Sequence, residues 1–191
     1  MIAGPGLRRR RDDGLISDVV GFWKEAGKDG RWFDKDKGFD RRFRERFLDL
    51  HMAVATREHD SWMETPEGAL ALLILTDQFP RNAFRGTGHM YATDPLARHY
   101  ARQAHAGGHM ERVEPDLRLF FCLPFAHSED IADQDLSVAL NARLGQPWLD
   151  HAEGHRDIIR RFGRFPHRNP LLGRETTFEE AVFLRNGGFQ G

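Results

Sequence analysis

Two stretches of the sequence share an unusual order of residues that suits anion binding. One reads DQFPRNAFRG and begins at Asp77, and the other reads FGRFPHRNPLLGR and begins at Phe162. A guanidinium group binds carboxylate or phosphate through two parallel hydrogen bonds, so arginines repeated in this way predict a site for a small anion. The residues of these stretches that we assign to ligand binding are Arg81, Asn82, Arg164, His167, Arg168 and Asn169.

The same two stretches also allow a purely structural interpretation. Proline ends a helix, and asparagine supports the turn that follows it. Arg81 and Arg168 would then bond the carbonyl groups left without partners at a helix end. In particular, Thr65-Pro66-Glu67 is a strong helix start, and we expect that helix to end near Gln78 because Pro80 follows. The sequence leaves both interpretations open.

Histidine and acidic residues lie between and around the two stretches. The segment PFAHSEDIADQD places His127 just before a helix start, for which Ser128 is the expected cap, and it places Glu129 in the first turn. A histidine oriented by a carboxylate is a common general base, so His127, Glu129 and Asp77 are the candidate catalytic residues. His155 is a further candidate for the wall of the site.

A metal site is an alternative use of the same side chains. His151 and His155 are spaced i, i+4, which places both on one helix face as paired metal ligands require. The intervening residues lack the glutamate of the H-E-x-x-H motif, and a histidine on such a stripe is more often a hydrogen-bonded core residue. A metal centre built from His127, Glu129, His155, His167 and Asp77 stays an alternative, but we assign no metal ligand. No nucleotide-binding or nucleophile motif is present, so no cofactor is expected and catalysis stays open.

The elements that must position these residues are helices. Phe39, Phe43 and Phe47 recur every fourth residue, which predicts a long amphipathic helix over residues 39–57. Thr176 and Thr177 precede Glu179 and Glu180 at capping-box spacing, which predicts a short final helix. Strand alternation and hairpin turns are not evident. The pattern predicts an all-α protein of about eight helices.

The composition limits the classes of partner and the cellular location that we expect for this protein. The chain has 191 residues and a net charge of −1, so no strong field favours nucleic acid. No apolar run reaches the roughly 20 residues of a membrane span, and no secretory signal opens the chain. Cys122 is the only cysteine, which fits a cytoplasmic protein. We expect residues 1–14, which contain four consecutive arginines, to be a disordered tail and residues 15–191 to form one domain.

Several motifs together resemble a bacterial family of unknown function, number 924 in the series of such domains. They are FWKEAGKDGRWFDKDKGFDRRFRERF, LTDQFPRNAFRGTGHMYATDPLAR, LPFAHSEDIADQD and HRDIIRRFGRFPHRNPLLGRETTFEE. The resemblance extends from about Leu15 onward and implies a tetratricopeptide-like, all-helical superhelix. It implies no activity. It does place the arginines, histidines and acids named above within the family's motifs.

Three functional hypotheses follow. The first is a helical protein whose polar pocket, lined by arginine, histidine and acidic residues, binds a small anion and supports acid/base chemistry. The second is a tetratricopeptide-like scaffold that binds a peptide, in which the polar motifs lock helix ends. The third is a metal-dependent hydrolase. The first requires the two stretches and the loop that carries His127 to converge in space. The second predicts motif residues that are buried, paired with one another and away from any open groove.

Overall fold

The computed structural model describes residues 5–191, with side chains from residue 10 onward. Over this range the chain is α-helical without β-strands, which confirms the all-α prediction. No helix in the described part of the chain has the length and apolar character needed to cross a membrane. The α-helices are α1 (Pro5–Lys28), α2 (Lys37–Ala55), α3 (Pro66–Leu73), α4 (Phe79–Ala83), α5 (Asp94–Ala106), α6 (Leu119–Ala126), α7 (Ile131–Leu144), α8 (Trp148–Phe162) and α9 (Phe178–Arg185).

The chain divides into two compact units. The first comprises the described residues up to Arg85 together with His89–Pro124, and the second comprises Gly86–Gly88 and Phe125–Gly191. Residues 5–14, which we expected to belong to a tail, are part of α1, and residues 1–4 lie outside the described range. A single domain over residues 15–191 stays a prediction.

An aromatic core holds the first unit together. The side chain of Asp36 caps α2, and the phenylalanines at positions 39, 43 and 47 then fall on one buried face, as the spacing predicts. The ring of Phe43 lies 5.4 Å from that of Trp23 on α1 and 5.1 Å from that of Phe79 on α4, measured between centroids. Both Phe43 and Trp23 are fully buried. These contacts fix α1, α2 and α4 around one centre.

The helix that begins at Pro66 does not end before Pro80, so that prediction was wrong. After α3 the backbone forms a π-helical segment, Ile74–Gln78, and α4 continues directly through Pro80. In this segment the N–H of Phe79 bonds to the carbonyl of Ile74, five residues earlier. A wide turn of this kind lets the helix pass a residue that has no N–H to donate.

Side chains then donate to the carbonyl groups that precede the proline. His51 Nδ1 lies 2.8 Å from the oxygen of Leu75. The hydroxyl of Thr93 donates to the oxygen of Thr76 at 2.6 Å, and Arg81 Nη1 donates to the oxygen of Asp77 at 2.7 Å. Side chains, two of them from other elements, thus bond carbonyls around the point where proline lacks a donor, which is why a local helix-breaking rule failed here.

The second unit is built around the packed pair α7 and α8. Asp130, and not Ser128 as predicted, caps α7 by accepting from the N–H of Ala132. Ser128 is instead buried and donates to Asp133 at 2.8 Å, which keeps its hydroxyl away from the helix end. At α9 the predicted capping box is confirmed, with Thr177 and Glu180 bonding each other's backbone N–H.

The two similar stretches, DQFPRNAFRG from Asp77 and FGRFPHRNPLLGR from Phe162, adopt different conformations, and we call them the first and second echoed stretch. The first is helical on both sides of Phe79-Pro80. In the second, α8 ends at Phe162, Gly163 takes the left-handed conformation with φ 69°, and a short 3-10 turn, Pro166–Arg168, follows. The shared letters therefore do not mark a repeated structural unit.

We expect the Thr93→Val substitution to reduce the free energy of unfolding by about 1–3 kcal/mol, because it leaves the buried carbonyl of Thr76 without its donor. In a Pro80→Ala background the new N–H can bond this carbonyl, so the same substitution should cost less than about 0.5 kcal/mol. Urea unfolding of the four proteins measures both values. An equal cost in the two backgrounds would show that the hydroxyl does not compensate for the proline.

Candidate ligand-binding site

The arginine of the first echoed stretch is held by carboxylates within the first unit. Arg81 donates to both oxygens of Asp94, at 2.9 and 3.2 Å, and lies 3.1 Å from an oxygen of the buried Asp77. Asn82 donates to Asp40 at 2.8 Å. Three of the predicted site residues, Asp77, Arg81 and Asn82, thus belong to a paired network within this unit.

The second echoed stretch contacts His127 and Glu129, which lie between α6 and α7 in the second unit. Arg174 donates to both carboxylate oxygens of Glu129, at 2.9 and 2.8 Å, and the N–H of Phe165 donates to the same group at 2.9 Å. Arg168 is buried, donates to the carbonyl oxygen of His127 at 2.9 Å and lies over the ring of Phe165. Residues that are distant along the chain are thus in contact here, a meeting that the sequence had left open.

The environment of Glu129 keeps it ionised. Burial acts to raise the pKa of this carboxyl, but the hydrogen bonds from Arg174 and from the Phe165 N–H outweigh it and hold the pKa below its ordinary value. Glu129 is therefore available as a hydrogen-bond acceptor and not as a proton donor. Its predicted catalytic role with His127 stays a prediction.

Two further predicted ligand residues converge on Glu180. Arg164 donates to its two oxygens at 2.6 and 2.9 Å, and Asn169 donates at 3.2 Å. The Arg164 hydrogen bond lowers the pKa of Glu180 to about 2, against the opposing effect of burial. Because Glu180 also closes the capping box of α9, these residues fix the start of that helix.

A pocket of about 390 Å³ opens on one face of α8 in the second unit. Of the residues predicted for ligand binding, His155 lines it. His151 lines it one helical turn earlier, as the i, i+4 spacing requires. The full lining is Asp150, His151, Gly154, His155, Asp157, Ile158, Arg161, Phe162, Phe183 and Phe189.

His155 is a polar residue of the pocket wall, and one of its ring nitrogens lacks a hydrogen-bond partner in the described part of the chain. Its Nδ1 is buried and finds no hydrogen-bond partner among residues 10–191. The rings of Phe189 and Phe165 pack edge-on against the imidazole, with centroids at 4.7 and 5.5 Å. Burial, followed by the positive charge of His127, Arg168, His151 and His167, lowers the pKa of His155 to about 3. The imidazole is therefore neutral at physiological pH.

Most of the pocket wall lies outside the predicted site residues. The i, i+3 and i+4 stripe on α8 that carries His151, His155, Ile158 and Phe162 was visible in the sequence and extends to Asp150 and Arg161. Phe183 and Phe189 gave no comparable signal. They lie outside α8 and reach the pocket only through tertiary packing.

The profile of a family described as a bacterial protein of unknown function, DUF924, matches residues 19–188. The chain belongs to the DUF924 family. A solved structure of a protein of unknown function from Agrobacterium tumefaciens is 58% identical to it, covers 92% of this chain and 99% of its own, and has a TM-score of 0.89. A comparison with curated proteins finds no match. These findings confirm the family resemblance. The tetratricopeptide-like superhelix stays a prediction.

The described residues of this DUF924 protein contain no group of three or more histidine, cysteine, aspartate or glutamate side chains that could hold a metal ion. The metal-dependent hydrolase was an alternative because its candidate ligands could have converged. The geometry thus gives this alternative no support.

Arg168 should matter for stability irrespective of any ligand. We expect Arg168→Met to lower the free energy of unfolding by about 1–3 kcal/mol, because the carbonyl of His127 loses a charged donor. The matched control is Arg160→Met, whose guanidinium is exposed and pairs with Asp135, and it should change stability by less than about 1 kcal/mol. Equal effects of the two substitutions in urea unfolding would contradict the assigned role of Arg168.

The low pKa of His155 predicts a specific loss of stability in acid. The unfolded chain binds a proton at His155 near pH 6.5 and the folded chain only near pH 3, so its contribution is complete above pH 6.5 and declines as the pH falls. Between pH 6 and pH 4, stability should fall more steeply in the native protein than in His155→Phe, by at most about 1.4 kcal/mol per pH unit. Urea unfolding at several pH values measures the two slopes. Parallel slopes would show that the imidazole titrates normally.

Proposed function

We propose that this protein binds a small anionic ligand in the pocket on α8, with the anionic group beside His155. The observation that supports this most strongly is the buried Nδ1 of His155, which has no hydrogen-bond partner in the described part of the chain although it belongs to a pocket wall. Buried polar atoms are nearly always paired in folded proteins. A ligand that bonds this nitrogen would complete the pairing.

The charges around His155 favour an anion over a cation. Arg168, whose guanidinium is charged at any physiological pH, is among the groups that disfavour a proton on the imidazole. The same positive charge stabilises a negative charge placed in that position. Arg168 is fixed by its bond to the carbonyl of His127, so its charge is already in place before a ligand arrives.

The edge of the pocket suggests a compact ligand. Arg161 is exposed, and its guanidinium lies 4.6 Å from the ring centroid of Phe162 and 5.7 Å from that of Phe183. It can supply a second hydrogen bond to an anion. Asp150 and Asp157 are also exposed on the lining, and their charges oppose a polyanion. We therefore expect one carboxylate or phosphate group.

The remaining walls are apolar and suit a hydrocarbon portion of the ligand. Ile158 is buried, and Phe162 packs against Phe183 with ring centroids 5.1 Å apart. A volume of about 390 Å³ lies at the lower end of the range for small-molecule sites. A monocyclic or short-chain acid, or a phosphate monoester of similar size, fits this description. The lining does not include the predicted catalytic residues His127, Glu129 and Asp77, so catalysis there stays a separate prediction.

An interaction scaffold without a small ligand is the second candidate. The observation that favours it is the pairing of arginines from both echoed stretches with carboxylates, as Arg81 pairs with Asp94 and Arg164 with Glu180. Side chains engaged in this way lock helix ends, which is their expected role in a scaffold. This candidate predicts that no small acid binds at His155.

Calorimetric titration with matched ring compounds tests the proposal. Benzoate and phenyl phosphate should bind more tightly than neutral benzyl alcohol or cationic benzylamine. His155→Phe should weaken benzoate by about tenfold, the equivalent of one hydrogen bond to a charged group. The control is His105→Ala, an exposed histidine of the first unit that should leave binding unchanged. Equal binding of the anionic, neutral and cationic compounds, or no loss in His155→Phe, would contradict the proposal.

A further inference from the structure

We propose that the segment Gly187–Gly191 is a movable cover that a ligand must displace to reach His155. This inference rests on the proposed function, because it concerns access to the same pocket. Three observations support it: the position of Phe189, the glycines that precede it, and the exposed hydrogen bonds of Gln190.

Phe189 packs against the imidazole that an incoming anion needs to reach. Its ring lies 4.7 Å from the imidazole of His155 and 5.1 Å from that of His167, edge-on to both. It is nevertheless 41% exposed, unlike the fully buried phenylalanines of the first unit. A large apolar ring that is only partly buried gains little from its position and can leave it at modest cost. Phe189 therefore covers the imidazole without being part of a closed core.

The backbone before Phe189 can turn without obstruction. Gly187 has φ 83°, a conformation open to glycine and strained for other residues. At Gly188 a Cβ atom would lie 2.6 Å from the ring of Phe183, so the chain passes this wall of the pocket only because no side chain is present. Two adjacent glycines give the segment backbone freedom at the point where it leaves α9.

The segment is attached through exposed bonds. Gln190 Nε2 donates to the carbonyl oxygens of Leu184 and Gly188, each at 2.9 Å. Both bonds are exposed to water, which competes for the same donor and acceptors, so each of these two bonds contributes little to holding the segment. Gly191 lies against the ring of His167. Displacing Phe189 would release these contacts together and uncover both imidazoles.

A cover of this kind lowers the apparent affinity of the pocket. If the uncovered state is populated only in part, the measured dissociation constant is raised by the inverse of that population. Removing the ring should therefore tighten the binding of an anion. A fixed wall predicts the opposite, because the ligand would lose a packing surface.

The direct test needs no ligand. Diethylpyrocarbonate acylates accessible neutral imidazoles, and peptide mapping by mass spectrometry gives the rate at each histidine. We expect Phe189→Ala to raise the rate at His155 by about tenfold, if the covered state is favoured by about that factor. Gln190→Ala, which removes the two side-chain hydrogen bonds of Gln190, should change the rate in the same direction. His105 in the first unit should react equally in all proteins and serves as the internal control.

A second arm separates this inference from the proposed function. Benzoate should bind Phe189→Ala more tightly than the native protein. Unchanged reactivity of His155 in Phe189→Ala, or weaker benzoate binding in that variant, would overturn the cover. Raised reactivity without benzoate binding in either protein would support the cover and overturn the anion-binding proposal. Circular dichroism of each variant confirms that the helices are retained.

Discussion

Backbone carbonyl groups that lose a helical partner must find another donor, and this requirement organises much of the polar chemistry of both units. In the first unit, Pro80 removes a donor, and His51, Thr93 and Arg81 bond three carbonyls of the π-helical segment before it. In the second, Gln134 bonds the carbonyls of Ala126 and Ser128, and Arg168 bonds that of His127. Arg81 and Arg168, which we assigned to ligand binding from the sequence, thus stabilise the backbone at these carbonyls.

This constraint separates the candidate functional residues into two groups. Arg81, Arg164 and Glu129 make charged bonds that the fold itself uses, and a ligand would have to compete with those bonds. His155 differs, because its Nδ1 is buried without a partner among the described residues and its ring belongs to a pocket. A buried polar atom without a hydrogen-bond partner is energetically unfavourable in a folded protein, so such an atom in a pocket wall points to a ligand. The functional proposal therefore centres on α8, where the echoed arginines alone would not have placed it.

The sequence predicted features that depend on local rules. The all-α class, the apolar face of α2 and the capping box at Thr177 all follow from spacing within one helix. Predictions from the sequence failed where the deciding contacts come from residues that are distant along the chain. The helix continues through Pro80 because His51 and Thr93, from other elements, bond carbonyls of the preceding turn. The second echoed stretch has no such continuation, since α8 ends at Phe162. The meeting of Glu129 with Arg174 and Phe165 was open in the sequence, and the position of Phe189 over His155 had no local signal.

Nitrogen-15 NMR of the histidine side chains tests the central claim most directly. The ring nitrogens report protonation, tautomer and hydrogen bonding at each imidazole. The account predicts that His51 carries its proton on Nδ1, which donates to Leu75, and that His155 stays neutral from pH 7 to pH 5. It also predicts that benzoate shifts the ring nitrogens of His155 and leaves those of His51 unchanged. A His155 that titrates near pH 6.5, or one whose nitrogens do not respond to benzoate or phenyl phosphate, would contradict the account.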